Sequence, residues 1–106
     1  MINLREKDRR AIELIAKEVL PTSTELWAYG SRVKGTCTES SDLDLLIIFP
    51  KDSNNEMADK LEKLSQFKAS LTDSTIPIFV DVFTWEHIPE NFKQNIEKSK
   101  QLLMVV

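Results

Sequence analysis

The chain has 106 residues, enough for one core but not for a separate substrate domain, so residues 1–106 are expected to form a single domain. A net charge of −3, with 29% charged and 42% hydrophobic residues, excludes broad, sequence-independent nucleic-acid binding, which needs a basic face. No apolar run approaches a membrane span, the N-terminus lacks a signal-peptide pattern, and a lone cysteine cannot form an internal disulfide. A cytoplasmic location is therefore expected.

Residues from about Arg5 to Leu20 read as an amphipathic packing helix. Ile12, Ile15, Ala16 and Val19 share one face, and Pro21 ends it. Thr24 to Tyr29 is a short strand cut off by Gly30, and Gly30-Ser31 reads as a turn with Ser31 capping a short helical piece. A polar loop leads to a second strand, Asp42 to Phe49. There Leu43, Leu45, Ile47 and Phe49 face one way, and Asp42, Asp44, Leu46 and Ile48 face the other.

A helix follows to about Leu71, with Met57, Leu61, Leu64, Phe67 and Leu71 on one face. Ile76 to Phe83 reads as a third strand with Asp81 inside it and Pro77 near its start or on an edge. A last helix runs from about Pro89 to Lys100, with Phe92 and Ile96 as its buried stripe. The apolar tail from Leu102 to Val106 either adds a strand or docks on a partner. The expected class is α/β (α+β): a small mixed sheet with helices on one face, in the order α-β-β-α-β-α. A helical crossover makes the second and third strands parallel neighbours, and a short link makes the first two antiparallel.

The chemistry concentrates between Gly30 and Asp81. Asp is depleted in strands, and two carboxylates spaced i, i+2 on one strand face reach the same pair of hard cations. Asp81 on the neighbouring strand supplies a third ligand. With one histidine, His87, and one cysteine, Cys37, the composition excludes the usual zinc sites, so any metal is held by oxygen. Ser31 at a helix N-terminus offers a hydroxyl and backbone N–H groups to a triphosphate. Phosphoryl and nucleotidyl transfer require these two parts, a phosphate cradle and a pair of metal ions. Trp27 and Trp85 read as packing residues, Tyr29 as packing or as an edge of a nucleotide pocket, with packing favoured, and His87 as a surface or capping histidine.

Gly30-Ser31, ten intervening residues and then Asp42-Leu43-Asp44, with the late Val80-Asp81-Val82, resemble the DNA polymerase β-like nucleotidyltransferase superfamily, in particular its minimal nucleotidyltransferases. The resemblance implies a palm-like fold. It implies that Gly30, Ser31 and Arg32 bind the nucleotide. Asp42, Asp44 and Asp81 would be catalytic and bind two Mg2+ ions, with ATP or another nucleoside triphosphate as substrate. It also implies a separate helical partner protein, either a HEPN-type toxin or a substrate-binding subunit. The expected activity is transfer of a nucleoside monophosphate, AMP from ATP, to an acceptor hydroxyl. The alternative is a non-catalytic antitoxin that keeps the fold only to clamp its partner. An antibiotic-modifying transferase would need an acceptor-binding domain for which this chain is too short.

Overall fold

A computed structural model of the chain describes residues 4–30, 42–50, 57–74 and 76–106. In chain order these form α1 (Glu6–Val19), β1 (Glu25–Tyr29), β2 (Leu43–Ile48), α2 (Met57–Thr72), β3 (Val80–Thr84), a 3-10 turn at Trp85–His87, α3 (Glu90–Ser99) and β4 (Gln101–Val105). The strands make one four-stranded sheet in the order β3-β2-β1-β4. β1 is antiparallel to both β2 and β4, and β2 is parallel to β3.

Alternation along the strands builds the main core. Leu26 and Ala28 of β1, Leu43, Leu45 and Ile47 of β2, and Val82 of β3 are all fully buried. They meet Ile12 and Ala16 of α1 and Phe67 and Leu71 of α2. Burying one such aliphatic side chain stabilises the fold by about 1.5–3 kcal/mol. Asp8, in the first turn of α1, is 4% exposed yet paired, because Arg5 Nε donates to its carboxylate at 2.9 Å. Arg9 Nη2 donates to the Leu103 carbonyl at 2.9 Å, tying α1 to β4. No helix among the described residues is long and apolar enough to cross a membrane.

The α/β class with a mixed sheet is as expected, and the apolar tail resolves as a strand. β4 pairs with β1, and the Val106 N–H donates to the Thr24 carbonyl. This strand changes where the last helix lies. α1 and α2 cover one face, as expected, whereas Ile96 of α3 packs with Leu46, Ile88 and Trp27 on the other. The reason is topological. The β2–α2–β3 crossover steps outward across the sheet, and the β3–α3–β4 crossover steps back over it. Right-handed parallel crossovers running in opposite directions place their helices on opposite faces.

Two smaller expectations also change. β3 begins at Val80 rather than Ile76, because Pro77 cannot donate to a ladder. Phe92 is 57% exposed rather than part of a buried stripe, leaving Ile96 as the buried residue of α3.

Candidate active site

The face that carries α3 also carries the carboxylates. Tyr29 stands opposite Asp44 in the antiparallel β1–β2 ladder, and Asp44 stands opposite Asp81 in the parallel β2–β3 ladder. Residues facing each other across a ladder share a sheet face, so Tyr29, Asp44 and Asp81 form a row across three strands. The next row is Trp27, Leu46 and Phe83. Asp42 is exposed, two residues before Asp44 at the mouth of β2.

Charge is crowded along this row. Asp44 is held above the ordinary carboxyl range, first by burial and then by the negative charges of Asp81 and Asp42. Tyr29 is half-buried, and its phenol is pushed far up, again by burial first and then by Asp44 and Asp81. Gly30 closes the row from the β1 side. Its φ of +83° lies in the left-handed region that favours glycine. A Cβ placed there would also sit 2.5 Å from Asp44 Oδ2, so the bare backbone is what lets the turn lie against the carboxylate.

These residues suit a divalent cation in part. Their donors are all hard oxygens, and the mutual repulsion raising Asp44 is what a bound cation relieves. Among the described residues, however, no three acidic, histidine or cysteine side chains converge into a ready-made metal cage. Magnesium is commonly bound by one or two carboxylates together with substrate phosphates and waters, and the Asp44–Asp81 pair with Asp42 nearby fits that mode.

Beside the row a cavity of about 490 Å³ opens between the ends of β1 and β3 and the inner side of α3. Tyr29 and Gly30 form the wall it shares with the carboxylate row, and Phe83, Phe92, Ile88 and Ile96 supply apolar surface. Asn95, Ser99 and His87 add polar groups. His87 Nδ1 shares a hydrogen bond with the buried Thr84 hydroxyl, which fixes the ring at the cavity rim.

The structure thus brings Gly30, Asp42, Asp44 and Asp81 to one end of one face, whereas Ser31 and Arg32 lie outside the described residues. The cavity-facing side of α3 is the part that sequence reading missed, and Tyr29, read mainly as packing, stands in the carboxylate row and on the cavity wall. Tyr29 does carry a signal, since it alternates with Trp27 and directly precedes Gly30. The α3 residues carry none, because a helical stripe does not reveal which of its members meets a void.

The nucleotidyltransferase domain family matches residues 9–103. Probable protein adenylyltransferase MntA of Haemophilus influenzae is 32% identical over 97 residues, covering 92% of this chain and 79% of that protein. Two solved structures share the fold. A toxin–antitoxin complex with AMP-PNP superposes with a TM-score of 0.62 at 15% identity, over 92% of this chain and 73% of that one. The tri-AMPylated HEPN toxin of Shewanella oneidensis in complex with its MNT antitoxin gives a TM-score of 0.59 at 12% identity, over 97% and 74%.

Proposed function

Because this chain belongs to the nucleotidyltransferase domain family, we propose that it transfers AMP from ATP to a hydroxyl presented by a separate protein. The observation that carries this reading is the Asp44–Asp81 pair with the Gly30 backbone against it. The MntA name of the relative and the AMPylated toxin of the Shewanella complex support the choice of AMP and of a HEPN-type partner.

In this reading the triphosphate lies against the Gly30 backbone, and Ser31 and Arg32, which follow it in the sequence, would bind its phosphates. Asp42, Asp44 and Asp81 would hold two Mg2+ ions, which when bound would lower the charge on the reacting phosphates and on the leaving group. The acceptor oxygen attacks the α-phosphorus in line. The bond from α-phosphorus to the bridging oxygen of the β-phosphate breaks, and pyrophosphate leaves. The acceptor proton passes to the Asp81 carboxylate, which borders the exposed side of the row. Tyr29 keeps its proton and acts as a hydrogen-bond donor. Among the described residues none on this face is placed to align an acceptor, so in this reading the partner supplies both the hydroxyl and its orientation.

The test is co-expression with the candidate partner, followed by intact-mass measurement. AMP is expected on a partner side chain, and it is absent when Asp42 and Asp44 are both replaced by Asn. A partner that binds tightly yet stays unmodified with ATP and magnesium would mean a clamp rather than an enzyme.

A further inference from the structure

The cavity beside the carboxylate row is left without a role by phosphate and metal chemistry. Among its described lining residues none is a lysine or arginine, and the surface they present is mainly apolar. What it offers is the complement of a flat, uncharged, hydrogen-bonding ring. Phe83 and Phe92 are both partly exposed and supply aromatic faces, and Ile88 and Ile96 supply an apolar floor. Asn95 stands on the same lining with a carboxamide that is both donor and acceptor. Gly30 belongs to the cavity wall and also packs against Asp44, so a ligand with phosphates at the carboxylates has its uncharged end directed here. The volume of about 490 Å³ suits a nucleoside and falls in the ordinary range of small-molecule sites.

We propose that this cavity is the base subsite of the bound nucleotide, and that Asn95 reads the adenine edge. A carboxamide satisfies the N6 amino donor and N7 acceptor of adenine together. Guanine presents two acceptors on that edge, O6 and N7, which one carboxamide cannot match in the same way. Phe92, on the same helix one turn before Ile96, stacks on the ring. This explains why an apolar side chain on α3 is left 57% exposed.

The inference rests on the transferase reading, and calorimetry on the full chain with magnesium separates the two. The probes are ATP, GTP and inorganic tripolyphosphate, which has no base. Asn95 is exposed on a helix, so Asn95→Ala keeps the fold and raises helix propensity. It is expected to weaken ATP about tenfold, with GTP and tripolyphosphate unchanged. Asn95→Trp fills the cavity and removes the advantage of ATP over tripolyphosphate, and Phe92→Ala weakens ATP about tenfold. If Asn95→Ala and Asn95→Trp both bind ATP as the wild type does, the base subsite is overturned. If the wild type binds neither ATP nor tripolyphosphate, the transferase reading fails, and the subsite falls with it.

Discussion

Tyr29 and Asp44 face each other across the β1–β2 ladder, and burial raises both groups while the carboxylate raises the phenol further. The pairing places an un-ionised donor beside an anion that already repels Asp81. Neither residue gains from ionising where it stands, so the row waits for a positive charge.

Tyr29 is the chain's one tyrosine, so near-ultraviolet absorbance reports its titration directly. The folded protein is expected to show no phenolate through the region about pH 10 where a free tyrosine ionises. A phenol raised by folding stabilises the fold below about pH 10, and that contribution is lost as pH climbs toward the folded value. Asp44→Asn should bring the midpoint down. A titration near pH 10 in the native wild type would show that the burial and charge of this row are not felt at Tyr29.

Asp44 carries the same sign at the other end of the scale. Its raised value means that the protonated form favours folding at acid pH, and that this is lost as pH rises from about 3.9 through the folded value. In metal-free buffer at neutral pH, Asp44→Asn is therefore expected to stabilise the protein by about 0.5–2 kcal/mol, while abolishing transfer. Magnesium should raise the melting temperature of the wild type and leave that of Asp44→Asn unmoved. A destabilised Asn variant would show that Asp44 is structural.

Gly30→Ala combines a left-handed backbone with a Cβ aimed at Asp44 Oδ2. The backbone term alone costs roughly 1–2 kcal/mol, and relief of the clash must swing the carboxylate out of the row. Urea unfolding should report the loss in stability, and nucleotide binding should fall with it. An alanine variant of unchanged stability and binding would mean the turn relaxes freely.

Lys100 lies 4.3 Å from the ring centre of Trp27 and 5.3 Å from that of Trp85, with Nζ 3.1 Å from Glu97. Lys100→Met keeps the aliphatic stem and removes the charge. It is expected to cost about 0.5–2 kcal/mol, visible as a lower urea midpoint followed by tryptophan fluorescence. No shift would show that the stem's packing alone holds the two rings.

Much of the carboxylate row was readable because both Asp residues stand at the opening of β2, ahead of the run where both faces are buried. Once Leu43, Leu45 and Ile47 are assigned to the core, Asp42 and Asp44 have only one place to point. Asp81 joined them through the parallel pairing that a helical crossover imposes. The position of α3 was not readable, because it depended on the tail being a strand. Leu102–Val106 carries no turn residue ahead of it to announce one, and without β4 the second crossover has no direction. The cavity followed from the same gap: Phe92 and Ile96 differ by one helical turn, and only the placed helix separates the one that packs from the one that lines a void.

β3 and β4 are the two opposite edges of the sheet, and the connection through α3 joins them. Three interstrand spacings amount to about 14 Å. The ten residues of Glu90–Ser99 make a helix of about 15 Å. Because β3 and β4 run parallel, the chain must also return along the strand direction, so the helix and its flanking links together span the sheet, tethered at both ends like a beam resting on two walls. Its exposed side chains can be exchanged at little cost to the fold, whereas Ile96 is held in the core, and a whole turn added or deleted would have to be absorbed by the short links at either end.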